Sequence, residues 1–118
     1  MFVNFSNHPS KEWNENQLEA AEHYGEIVDL PFPRVPATAT EHDIDLLAHQ
    51  YVQRILNLKP DCVLCQGEFC LAYSVITLLK SRCIKTVAAC SERDTVELHE
   101  GSAVKKISNF TFIKFREY

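Results

Sequence analysis

Three polar clusters stand directly after apolar segments, and each carries residue types suited to an anionic ligand: Ser6-Asn7-His8, Gln66-Gly67-Glu68 and Ser91-Glu92-Arg93. Histidine is the residue type whose ordinary range lies near neutrality, so His8 is a candidate for proton transfer, or for donation to phosphate. The plainer reading is a backbone bond closing the turn at Pro9. Lys11 adds nearby positive charge, as any lysine at a helix start would. Gly67 lacks a Cβ where a strand turns into a helix, which either opens backbone N–H groups to an anion or simply permits the turn. Glu68 at a helix start gains from the helix dipole without any ligand, or acts as a base or acceptor toward a ribose hydroxyl. Arg93 offers a planar fork of donors to a phosphodiester, against the rival of an ion pair with Glu92 or Asp94. Ser91 donates to phosphate or caps a turn.

Several chemistries lack their signatures. There is no G-x-G-x-x-G and no G-x-x-x-x-G-K-[ST], so neither a standard dinucleotide site nor a P-loop is indicated. None of the five cysteines has an arginine six positions later, and G-x-S-x-G is missing, which weakens the case for a small phosphatase or hydrolase. In Cys62-x-x-Cys65 the two residues lie three apart in an apolar run, where strand geometry points them to opposite faces. Cys62, Cys65, Cys70, Cys83 and Cys90 therefore read as core thiols. His23, His42, His49 and His99 make no recognised ligand spacing, so no metal site and no cofactor is expected. Phe110, Phe112 and Phe115 raise the idea of base stacking; strict alternation puts Phe110 and Phe112 on one face and Phe115 on the other, and core packing is the favoured reading.

The positioning elements follow from periodicity and caps. Met1–Phe5 is a short apolar strand. Asn14 and Gln17 form a capping signature for a helix carrying Leu18, Ala21 and Tyr24, which Gly25 stops. Glu26–Leu30 is a second strand, and Pro31, Pro33 and Pro36 keep the next stretch extended. Thr40 and Asp43 cap a long helix with Ile44, Leu47, Ala48, Tyr51, Ile55 and Leu58 on one face, ended by Pro60. Asp61–Cys65 has no alternation and suits a strand buried on both faces. Phe69–Lys80 is the next helix and Ile84–Cys90 the next buried strand, with Ser91–Asp94 as the loop after it. Thr95–His99, a turn at Glu100-Gly101-Ser102 and Ala103–Arg116 make a hairpin and final strand.

This alternation implies an α/β fold: a mostly parallel sheet between two helical layers, with antiparallel C-terminal edge strands, and the order common in three-layer folds of this size, 2-1-3-4, is taken for its core. In such sheets ligands bind beyond the carboxyl ends of the strands where the order reverses, between the first and third strands. The three polar clusters would meet there.

At 118 residues the chain fits one domain spanning 1–118. Its net charge of −4 and the absence of any long Lys/Arg tract argue against duplex DNA as a partner. No run is long and apolar enough for a membrane span, no signal peptide is visible, and the cysteines read as reduced, so the expected compartment is the cytoplasm.

Three segments carry a resemblance: Phe2-Val3-Asn4-Phe5-Ser6-Asn7-His8-Pro9, Cys65-Gln66-Gly67-Glu68-Phe69 and Ala88-Ala89-Cys90-Ser91-Glu92-Arg93. Together they resemble small stand-alone CRISPR-associated proteins of type III systems, Rossmann-like chains related to CARF domains and ring nucleases. The resemblance implies a homodimer that binds a cyclic oligoadenylate messenger across its interface. It further implies metal-independent cleavage, in which a ribose 2′-hydroxyl attacks the adjacent phosphodiester to leave a 2′,3′-cyclic phosphate. Ser6, Asn7 and His8, Gln66 to Phe69, and Ser91 to Arg93 would then surround the ring. Gly67 N–H and Arg93 would contact phosphate, and His8 would be first candidate for acid–base work. The chain has no second effector domain, so a degrader or a binding-only sink both fit. A regulatory scaffold, marked by an exposed apolar patch and an empty crevice, is a further alternative.

Overall fold

Both capping signatures begin helices. In a computed structural model, which describes residues 1–118, the chain runs β1 (Phe2–Phe5), a 3-10 turn (Ser10–Glu12), α1 (Glu15–Glu22), β2 (Ile27–Asp29), α2 (Glu41–Asn57), β3 (Cys62–Cys65), α3 (Phe69–Ser81), β4 (Thr86–Glu100) and β5 (Ala103–Glu117). Thr40 and Asp43 close the full reciprocal box at the head of α2, while Asn14 accepts from the Gln17 N–H at the head of α1. None of these helices is long and apolar enough to cross a membrane.

The sheet is open and mixed, in the order β2-β1-β3-β4-β5, with all neighbours parallel except the antiparallel pair β4–β5. The reversal of order therefore falls between β1 and β3, as expected. Every residue of β1 and β3 is buried. Their alternate side chains feed two separate cores. Val3, Phe5, Val63 and Cys65 pack beneath α2 and α3 with Ile55, Leu71, Val75 and Leu79. Phe2, Cys62, Leu64 and Val87 face α1 with Trp13 and Ala21. Cys62 and Cys65 thus lie on opposite faces, as strand geometry requires.

Four expectations need correction. Ser91-Glu92-Arg93 is not a loop: β4 continues through it to Glu100, because β5 supplies a hydrogen-bonded partner along its whole length. The two strands leave the sheet as an exposed ribbon, turned by Gly101 at a φ of 62° and Ser102. A two-residue turn with glycine first fits the right-handed twist of a hairpin. Secondly, Phe112 and Phe115 do not oppose each other. Cys90 pairs with Lys114 but Ser91 with Phe112, so Ile113 is an extra residue that resets the alternation, and the two rings touch at 4.9 Å. Thirdly, Phe110 is not core; it is 68% exposed on the ribbon. Fourthly, Cys70 and Cys83 are exposed, one in the first turn of α3 and the other just past its end at a φ of 59°.

Candidate functional site

Beyond the carboxyl ends of β1 and β3, on the α1 face, lies a cleft of about 740 Å³. Ser6, Asn7 and His8 reach it from β1, Gln66 and Gly67 from β3, and Ser91 from β4. The polar ends of β1 and β3 and a serine within β4 are therefore brought to one place. Trp13, Asn14 and Gln17 wall it from the start of α1, while Leu64, Ala89, Phe110 and Phe112 supply its apolar surface.

The His8 loop is fixed by a polar network that periodicity alone does not reveal. Asn4 is almost wholly buried in β1, and its Nδ2 donates to the His8 carbonyl at 2.9 Å and to Asp29 Oδ1 at 2.9 Å. Its Oδ1 accepts from Ser6 Oγ at 2.6 Å, and Ser6 Oγ in turn accepts from the His8 N–H at 3.2 Å. Trp13 Nε1 donates to the same His8 carbonyl at 3.0 Å, and Asp29 accepts from the Ser10 hydroxyl. The backbone of His8 is thereby anchored while its side chain stays exposed at the cleft. These bonds use only the His8 backbone, and none involves its imidazole.

Other sequence candidates have structural duties. Gly67 is required by packing: a Cβ there would sit 2.5 Å from the Phe32 ring, which the proline-rich segment brings across Phe5 at a ring spacing of 4.7 Å. Glu68 caps α3, accepting from the Cys70 N–H at 3.0 Å and the Leu71 N–H at 2.8 Å. Those two bonds hold its carboxyl below the ordinary range, and they occupy the donors that an anion would otherwise use. Arg93 makes neither of the ion pairs that its neighbours suggested. Its Nε and Nη2 reach Ser108 Oγ across the ribbon at 3.2 and 2.9 Å, and its guanidinium lies 5.9 Å from the Phe110 ring centre.

Lys11, Glu68, Glu92 and Arg93 do not line the cleft. By strand alternation Glu92 points to the ribbon face opposite Ser91. Phe69 turns to a second groove of about 590 Å³ along α3, with Tyr73, Ile76, Lys80 and Tyr118. Phe69 is 89% and Tyr73 74% exposed, the kind of apolar patch a scaffold would present.

Electrostatically the cleft is almost neutral. Apart from His8, its one acidic or basic lining residue is Glu12, and no Lys or Arg borders it. No cysteine lines it, and the two thiols of β3 are core groups, Cys62 pushed by burial up to about 11 and Cys65 to about 12. No group of three His, Cys, Asp or Glu side chains is placed to hold a metal ion. What the cleft offers is hydroxyl, amide and imidazole groups around an apolar floor.

Sequence reasoning missed Glu12, Trp13, Asn14, Gln17, Leu64 and Ala89 as site residues, and it assigned Phe110 and Phe112 to the core. The signal was available for the first four: a helix that follows the first strand must begin beside that strand's carboxyl end.

No curated protein and no solved structure matches the chain. Residues 1–116 do match the family described as the Uncharacterized protein MJ1673 family, and the chain belongs to that family.

Proposed function

We propose that the chain is a stand-alone Rossmann-like, CARF-related domain of a type III CRISPR system, a cytoplasmic homodimer that binds cyclic oligoadenylate in the cleft and cleaves it without a metal. The observation that carries this reading is the convergence of Ser6–His8, Gln66–Gly67 and Ser91 on one cleft at the reversal of strand order. Two-fold symmetry suits a symmetric ring, each subunit supplying half of the pocket.

In the cleavage step the 2′-oxygen bonds to phosphorus and the bond from phosphorus to the 5′-oxygen breaks. The 2′-hydroxyl proton passes to a base, and the 5′-oxygen gains a proton. His8 is the one titratable cleft group suited to both transfers, and its anchored backbone favours a fixed geometry. Labelled cyclic tri-, tetra- and hexa-adenylate incubated with the protein in EDTA test the proposal. Linear products ending in 2′,3′-cyclic phosphate are expected, with a fall of about 10²–10⁴-fold in His8→Ala. The absence of both binding and turnover would overturn it.

A binding-only sink is the second reading. It is favoured by the positions of Glu68, spent on the α3 cap, and Arg93, spent on Ser108, which leave His8 alone among the catalytic candidates. Tight binding without products would select it.

A further inference from the structure

The cleft wall contains a buried side chain with nothing to bind. Gln17 is only 6% exposed, yet its side-chain amide makes no hydrogen bond within the chain; the bond at this position uses the backbone N–H, given to Asn14. No fully enclosed polar atom lacks a partner, so the free amide atoms open toward the cleft that Gln17 lines. Solvent reaches these atoms in the open cleft, and a complementary donor–acceptor edge can take its place there.

Across the cleft stands the converse, an apolar ring with nothing to cover it. Phe110 lines the cleft and is 68% exposed, on the ribbon face it shares with Ser91, Arg93 and Phe112. A planar heterocycle stacked on Phe110 would cover that face, and Arg93 beside the ring adds a cation near the stack.

The charge inventory narrows the ligand. Without Lys or Arg in its lining, and with Glu12 present, the cleft interior favours a neutral group over an enclosed phosphate. We infer that this cleft is a nucleobase-reading subsite, with the Gln17 amide pairing to the base edge and Phe110 stacking on its plane, while the phosphates lie at its solvent-exposed rim beside His8. A glutamine amide presents one donor and one acceptor, which matches adenine at N6 and an adjacent ring nitrogen. Adenine as the base rests on the oligoadenylate reading above; the nucleobase site itself does not. Gln17 is then a specificity-determining residue, and Phe110 a binding platform supplied by the ribbon.

Trp13, the single tryptophan, also lines the cleft and reports occupancy through its emission. The test titrates the full chain with adenosine, ribose 5-phosphate and cyclic tetra-adenylate, following Trp13 fluorescence and backbone amide shifts. Adenosine is expected to bind and ribose 5-phosphate to leave the cleft signals unmoved. Gln17→Leu, which keeps the volume and removes the amide, should weaken adenosine about tenfold or more. Phe110→Ala, at an exposed position that folding does not need, should weaken it by about five- to a hundredfold.

Adenosine that fails to bind at millimolar concentration, or binds both variants as it binds the wild type, overturns the inference. So does ribose 5-phosphate binding as well as adenosine. Cyclic tetra-adenylate that binds wild type and variants alike removes the base subsite and leaves the oligoadenylate reading standing. Adenosine binding with the expected dependence, but no binding of the ring, does the reverse.

Discussion

The two faces of the sheet are covered unequally. On one side α2 and α3, of 17 and 13 residues, lie over a core of 13 buried residues. On the other a single helix of 8 residues covers a core of 6. Beyond the carboxyl ends of β1 and β3 this side is left open, so Leu64, Ala89 and Phe112 floor a cleft instead of a sealed interior. The fuller face carries stability, and the thinner face leaves room for a ligand.

The sharpest way to break that contrast is to weaken the covered face. Ile55 is fully buried between α2 and the sheet, and Ile55→Ala should lower unfolding free energy by about 2–5 kcal/mol, read by chemical denaturation. A loss under about 1 kcal/mol would mean that this face is looser than its burial indicates.

Asn4→Ala probes the thinner face. It strips the His8 carbonyl and Ser6 hydroxyl of a buried partner and should cost about 1–3 kcal/mol. It should also perturb the amide signals of residues 6–8 in NMR spectra more than those of α2. Equal perturbation of both faces would contradict a local anchoring role.

Gly67→Ala joins the two regions, because Gly67 borders the cleft while Phe32 presses on it from the other side. The added methyl must displace a ring packed against Phe5, with an expected cost of about 1–2 kcal/mol in the thermal or denaturant midpoint. An unchanged midpoint would show that the Phe32 contact yields easily.

The smallest effect concerns acid. The carboxyls of Glu68 and Asp43 are held below their usual 4.5 and 3.8 by the helix-cap bonds they accept. A depressed folded-state value contributes stability that is fully present above the usual value and is lost as pH falls through the folded one. The thermal midpoint of the wild type should therefore fall below about pH 4.5, and Glu68→Gln should flatten part of that fall. Identical acid profiles would remove the cap from the account.

Much of the fold was legible because local rules act where it is most regular. The Thr40–Asp43 box, the apolar run Cys62–Cys65 and the prolines after Leu30 each specify a conformation without help from distant residues. The β4–β5 ribbon was misread at Ser91–Arg93, since polar residues in sequence look like a loop and only a partner strand keeps them extended. The Ile113 bulge defeated the face assignment of Phe115 for the same reason: an extra residue in a ladder is a property of the pair, not of either strand. At the site, Ser6–His8 and Gln66–Gly67 were legible as strand ends, whereas Ser91 reaches the cleft from within β4. The buried Gln17 amide and the Asn4 network were not, because both depend on contacts between elements.

The central claim is that the thinly covered face is the ligand face. Its most direct test is a titration of isotope-labelled protein with cyclic tetra-adenylate, followed by the amide shift of every residue. The account predicts that shifts cluster at Asn7, His8, Gln17, Gln66, Gly67, Ser91 and Phe110, with the α2–α3 core silent. Shifts centred instead on Phe69, Tyr73 and Ile76 in the α3 groove, or no shifts at all, would contradict it.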